Sequence, residues 1–146
     1  MVDHKKVERK LGELEEYLKG LEEKKGCSIE QYKRDQDLQD IVERRFEKAI
    51  QSCTDIASHV VSSESFREPE NYGDNFQILA EEDVLSSDVA EKMVEMTGFR
   101  NVLAHDYAEI KNDRVYHQLQ SLKKFHKFSE EMLEFLKRDS GEDKNG

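Results

Sequence analysis

The sequence predicts an all-α protein, an antiparallel up-and-down bundle of four long helices plus a short one. Apolar residues recur at alternating spacings of three and four along most of the chain, as on the buried side of amphipathic helices. Only one proline and seven glycines interrupt the pattern. Strand-like alternation is absent and no hairpin dipeptide separates two apolar runs, so the sequence gives no sign of a sheet.

The first two helices are predicted from their apolar stripes and their cap residues. Helix one is expected over about residues 3–24, with a Lys-Lys-Gly stop signal after it. Ser28 and Gln31 have the form of a capping box, and from there a helical pattern extends over residues 28–62 as one unusually long helix. The stripe of the first helix is Val7, Leu11, Leu14, Leu18 and Leu21; that of the second is Leu38, Val42, Phe46, Ala49, Cys53, Ile56 and Val60, widened by Ile41, Ile50, Ala57 and Val61.

Three further helices follow a connection. Residues 63–74 combine Ser, Pro, Asn and Gly, which is typical of a loop. We then expect a short helix over about residues 75–82 and a fourth helix with its cap at residues 86–88. Gly98 permits a kink in that fourth helix before it continues to residue 107. The last helix is expected over residues 112–138, capped by its first two residues, Asn and Asp.

Length and charge indicate one domain without a membrane segment. The 146 residues suit a single helical domain over residues 1–139 and a flexible polar tail over residues 140–146. A formal net charge of -10 argues against nucleic-acid binding driven by bulk charge, although a local basic cleft is compatible with it. No signal peptide or membrane-length apolar run is present. Cys27 and Cys53 have no metal-like spacing, so we expect free thiols in a reducing cytoplasm.

The run from Arg100 to Tyr107 is the candidate functional segment. An arginine supplies a fixed cation for a phosphate oxygen, and a histidine both takes and gives a proton near neutrality. RNA cleavage without a metal needs a base for the ribose 2′-OH, an acid for the leaving oxygen and a cation for the growing charge. His105 fits either proton-transfer role and Arg100 the cationic one. Asn101 suits orienting His105 or holding a phosphate oxygen, and Tyr107 carries a hydroxyl that contacts substrate or accepts a modification.

Helical geometry leaves the mutual placement of these side chains open. Residues five apart point about 140° from each other on an ideal helix, so Arg100 and His105 would not share a face, whereas Asn101 and His105 would. Either the backbone is irregular here, or Arg100 curls round, or a second copy completes the site across a two-fold axis. The alternative interpretation is structural: a histidine at a helix end often acts as a favourable C-terminal cation.

Other polar residues are weaker candidates. His59 and Asp55, four apart, have a metal-ligand spacing, but the sequence offers no third ligand. Arg45 falls inside the apolar stripe of the second helix, where long cationic side chains usually extend out to solvent. His117 and His126 lie among lysines and are interpreted as part of a solvated face. No glycine-rich phosphate loop or nucleophile elbow is present, and we expect no metal and no cofactor.

The run R-N-V-L-A-H-D-Y over residues 100–107 resembles the R-N-x-x-x-H-x-Y signature of the HepT-like branch of the HEPN superfamily. Residues 41–44 and 55–61, with their Asp-Ile-Ala-x-His run, are similar to the long second helix of that family. Residues 96–99 resemble the lead-in to its motif. Ser58 departs from the asparagine usual in the family, at a position outside the motif. The resemblance extends over nearly the whole chain.

The resemblance implies a function. HepT-like proteins are the toxins of type VII-like HEPN/MNT toxin–antitoxin systems: homodimeric, metal-independent endoribonucleases paired with MntA, a minimal nucleotidyltransferase. Arg100 and His105 would then be the catalytic pair, meeting their symmetry mates in one cleft, with Asn101 and Arg44 in support. Tyr107 would be the residue to which the partner attaches AMP. The substrate would be RNA, with transfer RNA as a candidate, and neither DNA nor a membrane would be a partner.

Two other functions stay open on the sequence. One is a non-catalytic HEPN module that binds a nucleotide or RNA and acts with a nucleotidyltransferase, which would bind without cleaving. The other is a plain dimeric helical scaffold, in which Arg100 and His105 would be replaceable with only a small effect on stability.

Overall fold

A computed structural model describes residues 1–104 and 108–141 of the chain, without the side chains of residues 108 and 109. This part of the chain contains seven α-helices and no strand, which confirms the all-α helical bundle. The helices are α1 His4–Glu22, α2 Ile29–Arg34, α3 Gln36–Ser63, α4 Asp74–Glu81, α5 Ser87–Ala104, α6 Ala108–Leu119 and α7 Lys123–Asp139. Two of the expected helices are each divided in two, so the bundle has seven elements where the sequence predicts five.

Helix α1 forms as its stripe predicts and packs along α3. Asp3 caps it, accepting a hydrogen bond from the backbone N–H of Lys6 at 3.1 Å. All five stripe residues of α1 are buried. The expectation that Arg45 extends into solvent is wrong. Its Nη1 donates instead to the backbone oxygen of Gly20 at 2.7 Å, near the end of α1.

The single helix expected over residues 28–62 is divided at Asp35. The capping box predicted for Ser28 and Gln31 is present and begins the six-residue helix α2. Asp35 then leaves the helical region, with φ -112° and ψ 96°, and its carboxylate accepts from the N–H of Leu38 at 3.0 Å to begin α3. Buried Gln39 completes the junction, because its Nε2 donates to the backbone oxygens of residues 32 and 33 at 2.9 and 3.2 Å.

The helix expected over residues 112–138 is also two helices, and its predicted cap is wrong. Asn112 lies inside α6 and is buried. Helix α6 ends at Leu119, and the side chain of Gln120 donates to the backbone oxygen of Lys25 at 2.8 Å. Three residues later α7 begins at Lys123. The fourth predicted helix, in contrast, forms as α5 and runs through Gly98 without a break.

Aromatic rings join the helices into one core. The ring of Phe46 on α3 meets the edge of Phe99 on α5 at 5.5 Å and lies 6.3 Å from Phe125 on α7. Phe76 on α4 meets Phe128 on α7 at 5.8 Å. Aromatic pairs in these orientations stabilise a core beyond the area they bury. This one core supports the predicted single domain over residues 1–139, which stays a prediction. The flexible tail is expected over residues 140–146, of which residues 142–146 lie outside the described part of the chain.

Two further sequence expectations concern cysteines and membranes. Cys27 is half-buried and Cys53 fully buried, and both are free thiols. Burial raises the pKa of each thiol above its ordinary value. Among the described helices, none is both long and apolar enough to cross a membrane.

Candidate functional site

The last turn of α5 presents the first two residues of the motif to solvent. Arg100 and Asn101 are both exposed, whereas Phe99 and Leu103 on the same turn are buried. Phe99 contacts Phe46 edge to face, which fixes the end of α5 against α3. The core therefore holds this helix end in place while the arginine and asparagine project outward.

The remaining motif residues follow directly in the chain. Helix α5 ends at Ala104 and α6 begins at Ala108. His105, Asp106 and Tyr107 lie between them, outside the described residues. Whether Arg100 and His105 converge therefore stays a prediction, as do the roles expected of Asn101 and Tyr107.

The guanidinium of Arg100 differs from that of Arg67 in its electrostatic environment. Arg67 is held by two carboxylates, with its Nη1 2.7 Å from Asp74 and its Nε 2.9 Å from Glu81. The Arg67 guanidinium lowers the pKa of Asp74 to about 2. The guanidinium of Arg100 makes no hydrogen bond or ion pair with any described residue. Within this part of the chain it is a cation available to an external anion.

A largely buried ion pair holds the first turn of α6, which follows the motif in the chain, against α3. Lys111 Nζ lies 3.2 Å from the carboxylate of Glu43 on α3, and the two side chains are only 18% and 15% exposed. Tyr32 on α2 is fully buried close by, and burial together with the charge of Glu43 raises the pKa of its hydroxyl. Asn112, the next residue of α6, is also buried. These contacts set the position of α6 relative to α3 immediately after residues 105–107.

Arg44 lies in the same half of the bundle but does not contact Arg100. It is one residue from Glu43 on α3, and its side chain is 66% exposed. Its polar contact in the described part of the chain is with Glu47 at 3.6 Å, three residues along the same helix. Exposed pairs of this kind contribute little to stability. Arg44 is therefore accessible, and its expected place beside the site stays a prediction.

A groove between α5 and α6 lies next to the motif and was not predicted from the sequence. It has a volume of about 480 Å³, with Gly98 and Val102 on one side and Arg114 and His117 on the other. His117 is exposed, as expected of a solvated face, and it also lines this groove. On α5, Gly98 and Arg100 point about 160° apart, so the groove opens on a different face from the arginine. The spacing of Arg114 and His117, three apart on α6, is the signal that sequence reasoning missed.

The sequence spacing that suggested a metal at His59 and Asp55 has another explanation. Asp55 accepts from Lys10 Nζ at 3.1 Å and from Gln51 Nε2 at 2.7 Å. His59 Nε2 accepts from the backbone N–H of Asp3 at 3.0 Å. No three potential ligands are grouped for a metal anywhere in residues 1–104 and 108–141. The spacing reflects two helices joined by hydrogen bonds.

Comparison with known proteins gives a family and a relative. The family model described as ribonuclease HepT-like matches residues 8–132. The chain is also 32% identical over 90 residues to the mRNA nuclease HepT of Shewanella oneidensis, which covers 62% of this chain and 68% of that protein.

Solved structures give the same result. A mutant MntA–HpeT toxin–antitoxin structure matches with a TM-score of 0.81 and 27% identity, over 88% of this chain and 97% of that one. A tri-AMPylated Shewanella oneidensis HEPN toxin in complex with MNT antitoxin matches with a TM-score of 0.79 and 28% identity, over 90% and 98%. The cytosolic protein YutE of Bacillus subtilis, with a TM-score of 0.81 over 96% and 94% of the two chains but 18% identity, shares the fold. Since the family match spans most of the chain and includes the whole segment from Arg100 to Tyr107, this protein belongs to the ribonuclease HepT-like family of HEPN toxins.

Proposed function

We propose that this protein is a metal-independent endoribonuclease and the toxin of a two-component toxin–antitoxin system of the cytoplasm. The observation that carries the proposal is the R-N-x-x-x-H-x-Y segment inside the family match, with Arg100 exposed and unengaged by any described carboxylate. The relative named mRNA nuclease HepT supports RNA as the substrate.

In the proposed reaction, one side chain transfers protons and another stabilises the charge on the phosphate. His105 takes the proton of the ribose 2′-OH or returns one to the leaving 5′-oxygen, because its ordinary pKa allows both near neutrality. Arg100 binds the non-bridging phosphate oxygens and stabilises the charge that grows on them. A planar guanidinium suits this role because it binds a phosphate with two parallel hydrogen bonds.

Asn101 and Arg44 have supporting roles in this proposal. Asn101 is exposed one residue after Arg100, so its amide can hold a phosphate oxygen or orient His105. Within the described part of the chain, Arg44 keeps only a weak surface contact with Glu47, which leaves its charge available to the RNA backbone. Both act on a substrate that Arg100 and His105 cleave.

We further propose that the working form is a homodimer in which two motifs meet. Ile41 on α3 is 38% exposed and Ile110 on α6 is 60% exposed. Ile41 lies three residues before Arg44, on the same face of α3. Ile110 comes shortly after the motif. Large apolar side chains exposed around a proposed site favour its burial against a second copy.

The proposed inhibitor is a nucleotidyltransferase. The solved relative is a tri-AMPylated HEPN toxin in complex with MNT antitoxin. Transferred to this chain, the modification falls on Tyr107, where AMP would add negative charge beside Arg100 and occupy the space of the substrate. Measuring the intact mass of the chain after co-expression with such a partner tests this step, because each attached AMP adds to the mass.

The decisive experiment replaces the two proposed catalytic residues one at a time. We expect Arg100→Ala to lower RNA cleavage about a hundredfold to a thousandfold, through loss of transition-state charge stabilisation. His105→Ala should lower it about a hundredfold to ten-thousandfold, through loss of proton transfer. Arg34→Ala, which removes an exposed arginine from α2, is the matched control and should leave cleavage unchanged.

Purified protein and an unstructured RNA suffice for the assay, with EDTA present throughout so that contaminating metal nucleases are silent. Full cleavage by both alanine variants would refute the ribonuclease assignment. RNA binding by the wild-type chain without any cleavage would instead identify the non-catalytic HEPN module that the sequence left open.

A further inference from the structure

A second groove, between α1 and α3, is lined by polar side chains from both helices. Lys6, Arg9 and Lys10 come from α1, and facing them on α3 are Asp55, Ser58, His59 and Ser62. Both sets follow helical spacings of three and four, so each forms one stripe along its helix. The groove has a volume of about 480 Å³ and is open to solvent.

The groove is locally positive in a chain whose net charge is -10. Lys10 is paired with Asp55, its Nζ 3.1 Å from the carboxylate. Lys6 and Arg9 are exposed, and their side chains make no hydrogen bond or ion pair within the described residues. The nearby Asp3 carboxylate is engaged in capping α1. Asp3 keeps its negative charge there, but the three cations of the groove still outnumber its two nearby carboxylates, and the Lys6 and Arg9 side chains remain available to an anion from outside.

Apart from Asp55, which is paired with Lys10, the opposite wall supplies neutral hydrogen-bond donors. Ser58 and Ser62 contribute hydroxyls, which donate freely to phosphate oxygens. His59 accepts a hydrogen bond from the N–H of Asp3 through Nε2, so its neutral form carries the proton on Nδ1. Burial and the charge of Lys6 hold the pKa of His59 below its ordinary value. Cations on one side and neutral donors on the other are the arrangement that binds phosphate.

We propose that the α1–α3 groove binds phosphates of the RNA backbone, as a second contact region remote from the Arg100 site. The inference rests on the proposed ribonuclease function. Phe46, which contacts Phe99 beside Arg100, precedes His59 on α3 by thirteen residues, or about 20 Å of helix. At the rise of about 3.4 Å per nucleotide of a base-stacked strand, an RNA extends roughly six nucleotides beyond the cleaved bond to reach the groove within one protomer, and an extended single strand needs fewer.

The open shape of the groove favours a polymer over a free phosphate ion. Lys6 and Arg9 lie one helical turn apart and so offer successive contacts along a backbone. A site for an isolated ion would instead surround it. Serine hydroxyls continue the donor wall for a further turn, from Ser58 to Ser62.

The test measures binding of 2′-O-methyl RNA, which lacks the 2′-OH needed for the proposed cleavage. Fluorescence anisotropy compares the wild type with the double variant Lys6→Ala/Arg9→Ala on a twenty-nucleotide and a three-nucleotide RNA. The matched control is Lys5→Ala/Lys19→Ala, which removes the same charge from exposed positions of the same helix outside the groove. A second double variant, Lys6→Arg/Arg9→Lys, keeps the charge.

We expect the groove variant to bind the long RNA about tenfold more weakly at low salt. The slope of log K against the logarithm of the salt concentration should be less steep by about 1.4, because two phosphate contacts on a single strand are lost. Binding of the three-nucleotide RNA should not change, and the charge-keeping variant should bind the long RNA like the wild type. Equal losses in the groove variant and the control would indicate bulk charge and overturn the proposal, as would no loss in either.

A parallel titration with inorganic phosphate tests whether the groove binds RNA backbone phosphates or a free phosphate ion. If phosphate alone shifts the His59 imidazole resonance while long-RNA binding is the same in the groove variant as in the wild type, the groove takes a free ion and the RNA contact is refuted. Cleavage of unmodified RNA is measured separately, so an inactive wild-type chain that still binds through the groove would refute the nuclease and leave the groove intact.

Discussion

At the scale of single residues, Arg45 shows how one side chain joins two helices. The last four carbonyls of a helix lack a partner within it, and the oxygen of Gly20 is one of these in α1. Arg45 crosses from α3 and donates to it at 2.7 Å. A Cβ at position 20 would lie 3.0 Å from the Arg45 guanidinium, so the glycine makes room for this contact.

This contact predicts different effects for two glycines of α1. Gly12→Ala, whose Cβ would meet nothing within 4 Å, should raise the free energy of unfolding by about 1 kcal/mol, the ordinary gain of alanine over glycine in a helix. Gly20→Ala should gain clearly less, because its methyl group displaces Arg45. Chemical denaturation measures both.

Making the same two glycine substitutions in an Arg45→Ala background separates the effect of helix propensity from the effect of the contact between position 20 and Arg45. There the deficit of Gly20→Ala should disappear, which gives a coupling of about 0.5–1 kcal/mol between positions 20 and 45. Equal gains for the two glycines in the wild-type background would contradict the role assigned to Arg45.

The candidate site could be predicted only in part at this scale. The motif identified Arg100 and Asn101 as candidate site residues, and both are exposed at the end of α5, while their roles stay predictions. Helical geometry could not decide whether His105 joins them, since residues five apart on an ideal helix point about 140° from each other and His105 lies outside the described residues. The α5–α6 groove was missed because it depends on how two helices pack, which periodicity within either one does not contain.

At the scale of helices, the sequence predicted buried faces well and helix ends less well. The break at Asp35 lies in a gap of the apolar stripe, between Tyr32 and Leu38, so an aspartate at that gap was the available signal. The break between α6 and α7 has no such gap. Leu119, Leu122 and Phe125 keep helical spacing across it and all are buried, so periodicity alone could not reveal the turn.

The junction between α2 and α3 gives a prediction for Gln39. Its amide donates to two terminal carbonyls of α2 and is buried. Gln39→Leu keeps a similar volume but leaves both oxygens without this donor. We expect a loss of about 1–3 kcal/mol in the free energy of unfolding. Thermal or urea unfolding gives the value.

Gln77→Leu is the matched control, since Gln77 is exposed on α4. It should change the free energy of unfolding by less than about 0.5 kcal/mol. A Gln39→Leu variant as stable as this control would mean that water or another donor satisfies the end of α2, and that the junction does not depend on the glutamine.

At the scale of the whole molecule, exposed cationic side chains lie in two separate regions of the bundle, of which only the first also has exposed isoleucines among its described residues. The half with the end of α5 carries Arg44, Arg100 and the exposed isoleucines 41 and 110. The α1–α3 groove carries Lys6 and Arg9 about 20 Å further along α3. Under the two proposals, RNA binds at these cationic regions while the overall acidic charge of the protein opposes non-specific binding.

The proposed dimer accounts for the first of these regions and predicts what happens when it is disrupted. Ile41→Asp/Ile110→Asp places two charges where we propose that a second copy packs, and burying unpaired charge opposes association. The variant should be a folded monomer by light scattering and circular dichroism. If each cleft needs groups from both chains, cleavage should fall about a hundredfold, comparable to losing one preorganised catalytic group.

Leu133 on α7 makes this test specific. It is 45% exposed and lies among His4, Glu8 and Leu136, by the first turns of α1, away from the motif. Leu133→Asp introduces the same kind of charge and should leave both the dimer and cleavage intact. A fully active monomer of the Ile41/Ile110 variant would show that one chain assembles the site alone, and Arg100 would then have to reach His105 within its own protomer. Loss of the dimer in Leu133→Asp instead would move the interface to α7 and separate it from the catalytic motif.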